Sequence, residues 1–356
     1  MNMKAFIGVI GAALAASCAT ATTPPNYTVN VMLTPDEDGM VVYMMDYDTS
    51  SKIDSALVEN GVAHFSGNVT APSYVRMVFE GSRIGDFILE PATVTLAPAE
   101  RKLDSDGKMQ GDLNKLIMSQ RALVKQYNSL PQDSTSIDAR KDIVERYEAL
   151  ADSALDANAG NVLGYVLFVS KDGLRNSLAD LDAALDKYPQ FKTSKRMQSL
   201  RDHLLVKEET SVGHKYKDFA ITNDGKTQRL SDYVGNGHYT LVDFWASWCG
   251  PCIRETKVIK DLYNKYNGKG LEVLGVAVWD EPANTLKAIE EHQLPWNQII
   301  NAQTIPTDLY GISGIPCIIL IDPQGNIVSR DKQDQDLIDD VDAAMATMQS
   351  SKQDVE

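Results

Sequence analysis

The run Leu241-Val-Asp-Phe-Trp-Ala-Ser-Trp-Cys-Gly-Pro-Cys252 decides how the chain is read. Tyr239–Trp245 is a buried-type strand whose apolar run Leu241–Trp245 is interrupted by Asp243, and Cys252–Tyr266 follows as a helix. Cys249 and Cys252 therefore stand three apart where a strand passes into a helix. That spacing puts them on one helical face, about 5–6 Å apart at Cα, within the span of a disulfide. Such a pair can open and close without refolding the domain. Cys249 lies at the helix N-terminus, where unpaired N–H groups and the helix dipole stabilise a thiolate. It is expected to be the exposed attacking thiol, and Cys252, one turn inside, the buried thiol that resolves a mixed disulfide.

Other readings of the pair stay open on these residues alone. A Cys-x-x-Cys can be half of a zinc site, although no second such pair exists and the five histidines are scattered singly. A purely structural disulfide would close a loop too short to stabilise much. A buried, inert pair is the third reading. Asp243 interrupts an apolar run and is expected to be a buried carboxylate, whose pKa burial raises. A hydrogen-bonded core aspartate without chemistry is the plain alternative.

Downstream, the order of elements continues as strand and helix. Phe219–Thr222 and Thr227–Leu230 flank the turn Asn223-Asp-Gly225, and Ser231-Asp-Tyr233 fits a short helical turn. Leu271–Val278 is a second apolar strand, with a helix near Ala283–His292. Cys317–Ile321 and Ile327–Ser329 bracket Asp322-Pro-Gln-Gly-Asn326 as a hairpin, and an acidic helix, Asp334–Met348, closes the chain. Residues 211–350 thus read as an α/β domain, a mixed sheet with helices on both faces.

Upstream, residues 26–104 alternate with period two and read as a small antiparallel β domain. Val29, Val31 and Leu33 share one face, and Val41–Met45 is β-prone. Leu57–Phe65 is a hairpin whose Asn60-Gly61 supplies positive φ, and Tyr74–Phe79, Phe87–Leu89 and Thr93–Leu96 read as further strands. Residues 105–210 switch to three-and-four spacing and read as a helical section. Leu113–Tyr127, Ile143–Leu155, Val162–Val169, Leu174–Tyr188 (stopped by Pro189) and Ser194–Glu208 are its expected helices. This section holds one histidine, His203, no cysteine, and no constellation that carries chemistry.

Lys4 ahead of the apolar Phe6–Ala16 has the layout of an export signal, and the stretch is too short to cross a bilayer. It ends in Leu14-Ala-Ala-Ser-Cys18, which resembles a bacterial lipoprotein cleavage site whose cysteine becomes the acylated first residue. Residues 1–17 are thus expected to be a lipoprotein-type signal peptide and 18–25 a tether, with an ordinary signal peptide as the alternative. On either reading the mature protein works outside the cytoplasm, on the periplasmic side of the cell envelope; on the lipoprotein reading it touches the membrane through a lipid anchor only. Of four cysteines, Cys18 then serves the anchor, and a close pair plus Cys317 remains. That count suits chemistry better than a disulfide framework. The net charge of −15 repels a phosphate backbone, so no nucleic-acid partner is expected.

The quoted run resembles the thioredoxin superfamily, and within it the TlpA/ResA-like group of membrane-tethered thiol–disulfide oxidoreductases. Asp224-Gly-Lys and Leu230-Ser-Asp-Tyr233 are similar to that group's lead-in hairpin, and Gly314-Ile-Pro-Cys-Ile-Ile-Leu-Ile-Asp322 with Gly325 to its cis-proline strand and turn. The resemblance covers roughly 211–350; the β domain resembles an uncharacterised module often found in front of such domains. It implies a thioredoxin fold in which Asp243 accepts and returns the proton of Cys252. It also implies that Glu281 is an acid near the disulfide, and that Pro316 is a cis-proline. The backbone of Ile315 then pairs with an extended substrate segment, while Trp248, Gly250 and Pro251 border it. Trp245 and Trp248 are expected to pack around the pair. Gly250-Pro251 is the dipeptide of reducing thioredoxins, which points to reduction of protein disulfides. A membrane-bound electron donor and no metal or organic cofactor are implied.

This chain departs from the pattern twice. Cys252-Ile-Arg-Glu-Thr-Lys-Val258 lacks the family's helix proline, and Cys317 replaces the threonine usual after Pro316. Cys317 is either a third redox partner or an inert buried thiol. Two other functions fit less of the sequence: a thiol peroxidase, and a redox-sensing binding lipoprotein without turnover.

Overall fold

The computed structural model describes residues 24–174 and 176–353, so the expected signal peptide 1–17 and the acylated Cys18 lie outside the described residues. The chain divides into two compact units, one up to residue 168 and one from residue 169. Among the described residues no helix is long and apolar enough to cross a membrane.

The first unit is built on eight strands: β1 (Tyr27–Met32), β2 (Val41–Asp46), β3 (Lys52–Glu59), β4 (Val62–Gly67), β5 (Ser73–Phe79), β6 (Ser82–Leu89), β7 (Thr93–Ala97) and β8 (Lys102–Ser105). They run β6-β5-β2-β3-β4-β1-β7-β8 across the sheet. Asn60 and Gly61 turn β3 into β4 at φ 52° and 75°, the positive values a two-residue hairpin needs. The sheet is antiparallel-rich, as the alternation predicts, with one parallel pair, β7 beside β1. β1 pairs with β4 on one side, and β7 takes its other edge only after five intervening strands. Helices α1 (Lys108–Ser129), α2 (Ile137–Asn158) and α3 (Val162–Val169) follow. The carboxylate of Glu90, at the end of β6, accepts from the N–H groups of Met109 and Gln110, satisfying two donors at the start of α1.

The second unit opens with α4 (Leu178–Lys187) and α5 (Lys195–Glu209). Ser177 Oγ accepts from Asp180 N, which starts α4 four residues later than the apolar spacing from Leu174 suggests. Pro189 begins a 3-10 turn to Thr193, and Ser194 caps α5 through Met197 N at 3.1 Å. Next come β9 (Ala220–Asn223), β10 (Lys226–Arg229), β11 (Tyr239–Trp245), α6 (Gly250–Tyr266), β12 (Leu271–Ala277), α7 (Pro282–Glu291), β13 (Asn297–Ile299), α8 (Ile305–Tyr310), β14 (Cys317–Ile321), β15 (Ile327–Arg330) and α9 (Asp334–Gln353). The main sheet runs β13-β12-β11-β14-β15, with β11, β12 and β13 parallel and β14 and β15 antiparallel to their neighbours. β13 and α8 were not anticipated: three residues are too few to show a period, and Pro306 interrupts the helical pattern.

The central strand β11 is buried along its whole length, so its alternate side chains feed two cores. Leu241 and Trp245 pack with Cys252, Ile259 and Leu262 of α6 and with Leu337 and Val341 of α9. Val242 and Phe244 pack on the opposite face with Leu274, Val276, Tyr310 and Ile319. Each fully buried large side chain there contributes roughly 1.5–3 kcal/mol.

The section 105–210 does not form one body, because α4 and α5 belong with the second unit. Arg330, on β15, donates to Thr210 O at 2.7 Å and Tyr310 O at 2.6 Å, joining the end of α5 to the end of α8. These bonds tie the end of α5 to β15 and α8 within the second unit.

Candidate active site

Cys249 and Cys252 form a disulfide with Cα atoms 5.2 Å apart. Cys249 is the N-cap of α6, and its Sγ accepts from Cys252 N at 3.2 Å. Gly250 and Pro251 occupy the first two helical positions, where a missing proline N–H costs no helix bond. The sulfur thus sits at the end of α6 where its backbone N–H groups converge and negative charge is favoured.

The expectation that Cys249 is exposed is corrected: the residue retains 4% of its accessible surface, against 0% for Cys252. The loop before β14 covers it, with Ile315 O 3.7 Å from Cys249 Sγ, and the peptide bond from Ile315 to Pro316 is cis. Beside the disulfide Trp248, Gly250, Pro251, Ser313 and Gly314 are exposed. Trp248 is 61% exposed, its Nε1 donating to Trp279 O at 2.9 Å, so of Trp245 and Trp248 it is Trp245 that packs in the core with the cysteines.

The strand-to-helix loop is held by Asp280, a buried acid. Its carboxylate accepts from Ser247 N, Ser247 Oγ, Thr285 Oγ1 and Glu281 N at 2.7–3.0 Å. Glu281, the acid the resemblance singled out, is the N-cap residue of α7 with an exposed side chain. The buried carboxylate of this loop is therefore its neighbour, one residue earlier.

Asp243 is 2% exposed, on the face of β11 that α6 covers. Burial pushes its carboxyl up to about 8, and the nearby Glu255 adds to the rise. Its Oδ1 is buried without a hydrogen-bond partner among the described residues. Glu255, not anticipated, is itself 4% exposed, and burial raises its pKa while an accepted bond from Asp334 N at 3.0 Å opposes the rise. The signal for Glu255 was present in the helix spacing. Cys252, Glu255, Thr256, Ile259 and Leu262 form the buried stripe of α6, so this glutamate stands where an apolar residue belongs.

Cys317 pairs with Phe244 in the register of β14 against β11, and both belong to the core opposite the disulfide. Its thiol donates to Asp331 Oδ1 at 3.2 Å, and burial pushes its pKa well up. The sheet thus separates Cys317 from the Cys249–Cys252 pair.

A disulfide spanning the first turn of a helix, a buried acid beneath it and a cis-proline loop beside it define a thioredoxin-like domain. A family model and sequence relatives agree. Residues 212–330 match the AhpC/TSA family model, and residues 27–116 match a domain of unknown function, DUF4369. The chain is 34% identical over 122 residues to the thiol–disulfide oxidoreductase ResA of Geobacillus thermodenitrificans, covering 34% of this chain and 69% of that relative. It is 28% identical over 125 residues to ResA of Bacillus cereus, covering 35% and 71%. Among solved structures it is similar to the thioredoxin domain of a thiol–disulfide oxidoreductase from Bacteroides vulgatus (32% identity, 37% of this chain and 96% of that one, TM-score 0.34). A thiol:disulfide interchange protein from Bacteroides sp. is also similar (31% identity, 39% and 92%, TM-score 0.35). The chain belongs to the ResA family of thiol–disulfide oxidoreductases.

Proposed function

We propose that the protein is an envelope-anchored reductase of protein disulfides, working through the dithiol of Cys249 and Cys252 and tethered by an acylated Cys18. The observation that carries the reading is the placement of the disulfide: Cys249 Sγ at the N-terminus of α6, and Cys252 in the core that Asp243 shares. In the reduced form the Cys249 thiolate attacks one sulfur of a substrate disulfide, forming a mixed disulfide and releasing the first substrate thiolate. Cys252 gives its proton to Asp243 and attacks Cys249 Sγ, which releases the second substrate thiolate. Protons returned from Asp243 and from solvent leave two substrate thiols and the Cys249–Cys252 disulfide. Two electrons have moved to the substrate, and a membrane-bound donor restores them.

The exposed residues beside the disulfide support an extended polypeptide as substrate. Trp248, Gly250 and Pro251 offer an exposed border on one side, and the backbone of Ile315 before the cis bond offers pairing groups on the other. No metal or organic cofactor enters these steps.

The deciding experiment is the equilibrium reduction potential of the Cys249–Cys252 pair in defined thiol buffers, with Cys252→Ala as control. A value near or below about −250 mV supports reduction of substrates, and one above about −180 mV points to an oxidase or isomerase. The absence of a reversible transition overturns the dithiol mechanism, and peroxide turnover that survives Cys252→Ala replaces it with a peroxidase. Anchoring is tested separately, since Cys18→Ser is expected to move the protein from the membrane to the soluble fraction.

A further inference from the structure

One row of residues crosses the sheet beneath the disulfide: Ile318 in β14, Asp243 in β11, Gly275 in β12 and Gln298 in β13, all in register. Ile318, like Leu241 and Trp245 either side of Asp243, belongs to the core that holds Cys252, so the row shares that face. Gly275 leaves space there, and the side-chain amide of Gln298 fills it. A Cβ on Gly275 would lie 2.0 Å from Gln298 Oε1 and 2.7 Å from its Nε2. The amide therefore lies directly over the strand position next to Asp243, and neighbouring strands are only about 4.8 Å apart.

The orientation of that amide follows from its other contact. Trp245 Nε1 donates to Gln298 Oε1 at 3.1 Å, which fixes the oxygen and leaves Nε2 with its two N–H groups. Gln298 Nε2 is buried without a hydrogen-bond partner among the described residues, as is Asp243 Oδ1. A donor and an acceptor, each orphaned, thus occupy neighbouring places in one buried row. An orphaned buried donor is costly unless some state of the protein uses it.

We propose that Gln298 is a positioning residue for proton transfer at Asp243, its Nε2–H donating to the Asp243 carboxylate whenever that group is ionised. The inference rests on the proposed role of Asp243 as the group that takes the proton of Cys252. A buried carboxylate must be ionised to act as a base, and a neutral donor favours that form without placing a second charge in the core. Loss of the donor leaves Asp243 protonated to higher pH, and resolution by Cys252 then slows at neutral pH.

The test uses the full chain in its reduced form, mixed with equimolar 5,5′-dithiobis(2-nitrobenzoate). Release of the first thionitrobenzoate reports attack by Cys249, and release of the second reports resolution by Cys252. In Gln298→Leu the midpoint of the second phase is expected to move up by about one pH unit, a roughly tenfold slowing near neutrality, with the first phase unchanged. Gln298→Glu keeps an acceptor for Trp245 and removes the donor, so it is expected to move the midpoint in the same direction. Gly275→Ala, which displaces the amide without touching it chemically, gives the same shift and serves if the Gln298 variants fold poorly. An unchanged midpoint in all three, or a shift that persists equally in an Asp243→Asn background, overturns the proposal. If Asp243→Asn alone leaves the profile of the second phase as in the parent, the role of Asp243 has failed and the proposal falls with it.

Discussion

Asp243 is held among apolar side chains with one carboxylate oxygen unpartnered, so folding must either desolvate a charge or take up a proton. With its pKa pushed up to about 8, the folded chain binds this proton where the unfolded chain, near pH 4, has released it. The native state therefore holds more protons between roughly pH 4 and 8, and stability falls as pH rises through that window, by about 1.4 kcal/mol per pH unit at most. Asp243→Asn removes this dependence. In denaturant unfolding the stability advantage of the variant over the parent is expected to grow by about 5 kcal/mol between pH 4 and pH 8. Equal stability differences at both pH values would show that Asp243 is charged throughout. Asp243 was legible in the sequence because an acid inside Leu241–Trp245 has no solvent to reach. The burial of Cys249 was not, because the loop that covers it comes from Ile315 and Pro316, far along the chain. Asp280 and Glu281 show a related limit: adjacent acids look alike in sequence, and only the turn into α7 decides which one points inward.

Helix ends carry the next level of organisation. Gly311 ends α8 at φ 58°, a left-handed position, and a Cβ there would meet Lys207 N at 2.8 Å and His203 O at 2.9 Å on α5. Those atoms are backbone, so they cannot swing aside. Gly311→Ala must adopt an unfavourable φ, costing about 1 kcal/mol, and push α5 away from α8. A total loss of about 2–4 kcal/mol is expected in denaturant unfolding, with faster amide exchange along α5. A loss under about 1 kcal/mol would mean that α5 yields freely. Strands and helices with a strong period were readable to within a few residues, as β11, β12, β14 and α9 show. Pairings between distant strands were not: nothing local in β1 or β7 records that they lie side by side and parallel. The boundary of the helical section was hidden for the same reason, since Gly311 and Arg330 hold α5 from a hundred residues downstream.

At the scale of the whole chain, the redox chemistry belongs to one of two units. Cys249, Cys252 and Cys317 all follow residue 169, and residues 24–168 contain no cysteine. Changing the state of the disulfide should therefore change the stability of the second unit alone. The loop it closes is very short, so the chain-entropy contribution is about 2 kcal/mol. Its sign is tied to the direction of electron flow: a protein that donates electrons readily is one whose oxidised fold is the more stable, whereas an oxidant gains stability on reduction. For a reductase, calorimetry of the oxidised chain should show two transitions, and dithiothreitol should lower one of them by about 4–8 °C and leave the other in place. A rise of that transition on reduction would make the protein an oxidant, in agreement with a potential above about −180 mV, and would remove the argument drawn from Gly250-Pro251. Movement of both transitions together would mean that the two units unfold as one, so that the β and helical elements before residue 168 sense the state of a disulfide that lies outside their own unit.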